Sequence, residues 1–289
     1  MRKKLAFKKF KPVEIVLLAY ILVICSLLIF FQARLTDTLW HAGLFVMLAA
    51  ILMIVMFLDN KYPENPFLIA IRFFVPLALL PVLYKETDYF NNLFFAENLD
   101  PLFADIEFLI FNSQPSLRFS EKFPFDWMAE LMYFGYFSYY LFIPLIPVYA
   151  FYKAGIDSAQ KIIFIIITSF LLYYLIFIIF PVAGPQFYFS KDLIALPDGY
   201  IFGSIINYIQ LHGEGQTGAF PSSHVSICII ILYICYVEFK AIFPLVLTIS
   251  VLLILSTVYI RAHYVIDVIG ALIMTPVMYK LSLWLYKKF

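Results

Sequence analysis

Long apolar runs alternate with short polar breaks along this chain, and the runs share a common length. Eight stretches, near 13–31, 40–58, 66–84, 127–151, 161–180, 219–237, 241–260 and 264–284, are each close to the ~20 apolar residues that a helix needs to cross about 30 Å of hydrocarbon. In that medium every backbone donor and acceptor must be satisfied internally, which a helix does. The pattern predicts an all-α polytopic membrane protein with about eight transmembrane helices.

Two of the connections are long. Residues 85–126 mix Phe and Leu with Asp and Glu at helical spacing, predicting short amphipathic helices in the membrane interface with Gln114-Pro115-Ser116 as a turn. Residues 181–220 begin "PVAGPQF" and end "LHGEGQTGAF", and Gly213, Gly215 and Gly218 let the backbone turn tightly and approach a ligand. No internal repeat, low-complexity tract or Gly/Pro/Ser-rich linker divides the chain, so 1–289 reads as one membrane domain.

Composition supports the pattern and excludes a soluble fold. The chain is 64% hydrophobic, 20% aromatic and 13% charged, whereas soluble domains are roughly 45–50% apolar and about 25% charged. The net charge of +1 conceals Arg2, Lys3, Lys4, Lys8, Lys9 and Lys11 crowded at the start. An apolar run follows at once, so the cluster reads as a membrane-side anchor and not as a nucleic-acid arm; no small-residue cleavage site marks that run as a removable leader. Eight spans put both termini on one side. With the termini cytoplasmic, the inner segments hold thirteen Lys and Arg and the outer ones six, in keeping with the positive-inside rule. Cys25, Cys228 and Cys235 fall within apolar runs, where a thiol is a small buried hydrophobe.

Ionisable side chains in or at the mouth of a span are costly, so each needs a partner or a task. His224 opens the sixth span within "FPSSHVS", and Arg261, His263 and Asp267 open the eighth within "YIRAHYVIDVIGA", both on the outer face. The first turn of a helix has unpaired N–H groups and the positive end of the macrodipole, so two converging helix starts favour an anion. His263 and Asp267 are four residues apart and share a helix face, which allows the carboxylate to accept from one imidazole nitrogen and leave the other as an oriented lone pair. Such an imidazole can attack phosphorus while a second histidine protonates the departing oxygen. A metal site is the rival chemistry, but two His and one Asp without further His or Cys form a sparse set. No metal or cofactor is expected.

These residues resemble the type 2 phosphatidic acid phosphatase and vanadium haloperoxidase superfamily, whose signatures are Lys-x6-Arg-Pro, Pro-Ser-Gly-His and Ser-Arg-x5-His-x3-Asp. Pro221, Ser222, Ser223 and His224 are similar to the second, with Ser for Gly, and His263 with Asp267 to the end of the third. The resemblance implies His263 as nucleophile of a phosphohistidine, Asp267 as its orienting partner, His224 as general acid and base, and Ser222 and Ser223 as phosphate ligands. It also implies a metal-free six-helix core, here 63–289, behind two accessory helices in 1–62. The chain departs from the signatures at Thr257, which follows Ser256 where the family has Arg, and at Pro185 and Gln186, where it has a basic pair. Arg261 and Lys191 are the nearby cations that can replace them. "PVAGPQF", "LDPLFADIEFLIFNSQPS" and "EKFPFDWMAELMYFGYFSYY" look more like the inositol phosphorylceramide synthase-like branch, which transfers a phospho-headgroup to a lipid alcohol. The haloperoxidases are soluble, which separates them from this chain.

Other polar residues have plainer readings. His212 and Glu214 read as solvated loop residues that can border the site, and His41 as an interfacial anchor. Arg72, mid-span in "LIAIRFFVPLA", must find a carboxylate or carbonyl in the bundle interior. Glu130, Tyr133, Tyr136 and Tyr140 share one face, either as an aromatic packing ridge or as a polar cavity wall.

Two function classes remain open. One is a lipid phosphatase or phosphotransferase with membrane lipids as substrates and neither nucleic acid nor a protein partner. The other is a catalytically silent lipid-binding or lipid-moving protein. A transporter is disfavoured, since repeat symmetry is missing.

Overall fold

The computed structural model describes residues 10–190 and 196–289; Arg2, Lys3, Lys4, Lys8, Lys9 and Lys191 lie outside them. The described residues form twelve helices and no strand. These are α1 (Pro12–Phe30), α2 (Thr38–Lys61), α3 (Pro66–Tyr89), α4 (Asp100–Phe111), α5 (Pro115–Lys122), α6 (Asp126–Ala154), α7 (Ile156–Ile179), α8 (Pro185–Tyr188), α9 (Ile201–Gly213), α10 (Ser223–Glu238), α11 (Phe243–Tyr259) and α12 (Val265–Tyr286). Helices α1, α2, α3, α6, α7 and α12 are long and apolar enough to span a membrane, and the protein is a multi-pass integral membrane protein. The shorter α10 and α11, of 16 and 17 residues, are about 24 and 26 Å long at 1.5 Å per residue.

Helix α7 is the axis of the bundle. It carries Ile, Leu, Phe and Tyr on every side, and a helix that is apolar all round belongs inside. Helices α1, α3, α6, α10 and α12 pack around it. Helix α11 closes the far side against α6 and α10, while α2 lies outside, on α1 and α3.

The sixth span starts at Ser223 and not near 219, because Gly218 has φ +83° and Ser222 is the N-cap, accepting from the Val225 N–H at 3.3 Å. The 85–126 connection folds into α4 and α5, with the turn just before Pro115, which takes the first helical position of α5. Helix α9 was not expected in the connection read as glycine-turned. Phe202, Ile206 and Ile209, four and three residues apart, face the cluster around Tyr133 and Tyr259, so its signal was an ordinary helical period inside a loop-like composition.

Arg72 finds its partners here. Its guanidinium donates to Glu14 of α1 at 2.5 and 2.8 Å and to Asp59 of α2 at 2.7 Å, all three residues being buried. His41 at the start of α2 is bonded to Glu86 at 2.6 Å and stacks on Tyr89, so it joins α2 to α3.

Candidate active site

Three loops meet at the end of the bundle where α10 and α12 begin: 181–186, 214–222 and 260–264. Backbone hydrogen bonds stitch them together, Ala219 N–H to Val182 O at 2.9 Å, Gln186 N–H to Arg261 O at 2.9 Å and Ser222 N–H to Asp267 O at 3.2 Å. The junction is too tight for side chains at two points. Gly184 has φ +98°, and a Cβ there would lie 2.8 Å from the Ala262 carbonyl oxygen; Gly218 has φ +83°, and a Cβ there would meet the Tyr84 ring at 2.9 Å.

The stitching brings His224 and His263 face to face, with His224 Nδ1 3.2 Å from His263 Nε2. The other nitrogen of His263, Nδ1, lies 2.9 Å from the Ala219 carbonyl oxygen and 3.5 Å from Asp267 Oδ2. A carbonyl only accepts, so Nδ1 carries the proton and Nε2 is the lone-pair nitrogen turned toward His224. The nearest orienting group is thus a backbone carbonyl, with Asp267 behind it. Asp267 Oδ2 accepts from the Tyr264 N–H at 2.8 Å. Burial pushes His263 down to about 4, with the Glu214 charge and the Ala219 carbonyl opposing, so the resting imidazole is neutral. His224 is held between the rings of Tyr136 and Tyr139, 4.7 and 4.2 Å between centroids.

The histidines line a small cavity with Gly218, Tyr84, Tyr136, Gln186 and Glu214. Gln186 and Glu214 also line a neighbouring cavity of about 510 Å³, together with Tyr133, Asp198, Asn207, Gln210 and Arg261. Glu214, expected in solvent, is half-buried instead, accepting from Tyr136 Oη at 2.7 Å and from Gln186 Nε2 at 2.5 Å. Its position beside "GQTG" gave no periodic signal; only the folding of that loop brings it in. His212 remains exposed, bonded to the Tyr208 carbonyl.

Other candidates are placed differently. Ser222 and Ser223 are buried at the start of α10, and Ser222 spends its hydroxyl as the N-cap. Arg261 sits on the wall of the larger cavity with φ +65° and donates to Ser120 at 3.0 Å. The face shared by Glu130, Tyr133, Tyr136 and Tyr140 divides its work. Tyr133 and Tyr136 line cavities, while Glu130 accepts the N–H groups of Tyr200, Ile201, Phe202 and Gly203 at 2.7 to 3.2 Å and pins the start of α9.

The anion-binding capacity expected of the α12 start is already taken. Val265 and Ile266 N–H groups both donate to Glu107 Oε1 of α4, and that of Tyr264 to Asp267. Asp100, also on α4, accepts from the N–H groups of Ala183 and Gly184, each at 2.8 Å, and from Tyr264 Oη at 3.1 Å. Nothing in the sequence pairs these acids with those loops.

The model of the PAP2 superfamily matches residues 107–281. A PA-phosphatase related-family protein of Dictyostelium discoideum is 32% identical over 114 residues, 38% of this chain; the match covers 20% of that relative's length. No solved structure matches the chain.

Proposed function

We propose that this chain, which belongs to the PAP2 superfamily, moves a phosphorus-linked group on a membrane lipid through His263, transferring it to a lipid alcohol. The observation that carries the reading is the pairing of His263 Nε2 with His224 Nδ1 at 3.2 Å, both rings lining a small cavity, with the opposite His263 nitrogen held by a carbonyl. A neutral imidazole nitrogen beside a second imidazole brings a nucleophile and a proton donor to one phosphate, the pair of roles that displacement at phosphorus uses.

In the first step Nε2 of His263 forms a bond to phosphorus, the P–O bond to the donor lipid breaks, and that oxygen takes a proton from His224. The step starts from protonated His224, and the acceptor's proton restores that form in the step that follows. In the second step the acceptor hydroxyl gives its proton to His224 and its oxygen bonds to phosphorus as the N–P bond breaks. Water in place of the alcohol makes the same residues a phosphatase, the reading that the name of the Dictyostelium relative favours.

The charges around the cavities support transfer. Among the described residues their walls hold one permanent cation, Arg261, and two carboxylates, Glu214 and Asp198. A phosphomonoester brings up to two negative charges into such a site, a phosphodiester lipid one, and burying the second without a cation is costly. Lys191 is the further cation that a phosphomonoester would call on. The six helices α3, α6, α7, α10, α11 and α12 form the catalytic bundle, with α1 and α2 accessory, the termini cytoplasmic and the site on the extracytoplasmic or lumenal face.

The test offers purified protein in detergent phosphatidic acid, an isoprenyl diphosphate, and phosphatidylinositol with ceramide or diacylglycerol, beside His263→Ala. A new phospholipid absent from the variant establishes the transferase. Free phosphate lost in the variant turns the reading to a phosphatase. No product above the variant with any substrate supports the silent lipid-binding protein.

A further inference from the structure

The two acids of α4 do something that the reaction needs and that neither histidine supplies. Asp100, Phe103, Ala104 and Glu107 recur at three- and four-residue spacing, so they form one face of α4, and all four are buried. The opposite face carries Leu102, Phe108, Leu109 and Ile110, exposed by 54 to 83% and suited to the hydrocarbon edge of the interface. Asp100 reaches the loop that ends in Gly184, and Glu107 the start of α12, two residues after His263. Both acids therefore act on backbone whose positions set the direction of Nε2.

Resting on the reading of His263 as nucleophile, we infer that Asp100 and Glu107 are positioning residues, a pair of carboxylates on an interfacial helix that hold the 182–184 loop and the His263 turn in register. The two carboxylates differ in how they do so. Asp100 uses both oxygens, Oδ2 for Ala183 and Oδ1 for Gly184 and Tyr264, whereas Glu107 uses Oε1 alone for both of its donors. Glu107 Oε2 has no hydrogen-bond partner among the described residues. An amide retains one acceptor oxygen and replaces the other with a donor. Glutamine can therefore stand in for Glu107, with its NH₂ in the Oε2 place, while asparagine at 100 sets an NH₂ against a backbone N–H. Burial pushes Glu107 up to about 7, consistent with a contact that asks for an acceptor more than for a charge.

The experiment compares Glu107→Ala, Glu107→Gln, Asp100→Ala and Asp100→Asn in the full-length protein in detergent. Turnover is measured with the lipid panel above, thermal unfolding with tryptophan fluorescence, and labelling of His263 by diethylpyrocarbonate with peptide mass spectrometry. The expected result is a fall in kcat of about 100-fold in both alanine variants and in Asp100→Asn, as displacement of a reacting group by an ångström produces, with KM little changed. Glu107→Gln should recover most of what Glu107→Ala loses. His263 labelling should rise severalfold in the three impaired variants as its turn loosens, while labelling of exposed His212 stays constant. Equal His263 labelling in all variants, or kcat falling only in step with the folded fraction, overturns the inference. The labelling does not need turnover, so failure of the phosphotransfer reading, seen as no product from the wild type, is told apart from failure of this one.

Discussion

Two buried polar clusters sit at opposite ends of the helical bundle, and their difference separates a closed ion cluster from the proposed reaction site. At one end Arg72 uses Nε, Nη1 and Nη2 against Glu14 and Asp59, and the space beside it is about 30 Å³, room for about one water. At the other end His263 uses one nitrogen on a carbonyl and turns the other toward His224, and the small cavity that both line shares Gln186 and Glu214 with about 510 Å³ of space walled by polar and apolar side chains. Both clusters bear the cost of burying ionisable groups. The first recovers it in mutual hydrogen bonds that tie α1 and α2 to α3; the second leaves the His263 lone pair engaged by one imidazole alone, on the wall of a cavity.

The sharpest way to separate them is substitution at each end. His263→Ala should reduce product formation to background, a loss on the order of 10⁴-fold or more as for an isolated nucleophile removed from a concerted set, with helical circular dichroism unchanged. Retained turnover would move the nucleophile elsewhere. Arg72→Met should act on stability instead, costing about 3–5 kcal/mol because two carboxylates are left buried without a counter-charge. The readout is the midpoint of thermal unfolding in detergent, with turnover per folded molecule unchanged. The triple change Glu14→Gln, Asp59→Gln, Arg72→Met should recover much of that midpoint, since it removes the unpaired charges with their partner.

The pH dependence sharpens the histidine cluster. In the proposed reaction His263 attacks as the neutral imidazole, and burial depresses its proton affinity from the ordinary 6.5 to about 4. Protonation therefore removes the nucleophile only below that value. The acid limb of kcat/KM should fall near pH 4, by about tenfold per unit below it, and a limb centred near 6.5 would show that the free site is wetter than its packing implies. The smallest effect is expected for Tyr136→Phe, which deletes one hydrogen bond to Glu214 and should lower kcat/KM about fivefold, equivalent to about 1 kcal/mol.

Much of this fold was legible along the chain. The spans α1, α2, α3, α6, α7 and α12 follow from run length alone, and α4 and α5 from helical spacing of Phe and Leu among acids. Helix α9 was hidden by the glycines that follow it, and the start of α10 was placed too early because apolar composition does not register an N-cap. At the site, "FPSSHVS" and "HYVIDVIGA" pointed to the two histidines that the fold brings to 3.2 Å. Glu107 and Asp100 were not legible as neighbours of that pair, since an acid on an amphipathic helix reads as solvated, and Glu214 was legible only as a loop residue able to border the site.

The amino-acid sequence by itself determined that this chain crosses the membrane repeatedly and carries His224, His263 and Asp267 at the starts of two spans. Those properties are local, set by the apolar length that hydrocarbon demands and by the cost of placing a charge in it. The tertiary structure alone decided the partners. Arg72 meets an acid 58 residues before it, His263 a carbonyl 44 residues before it, and Glu107 an N–H 158 residues after it. Contacts across such separations depend on how loops and helix ends meet once the bundle has formed, and no period along the chain encodes them.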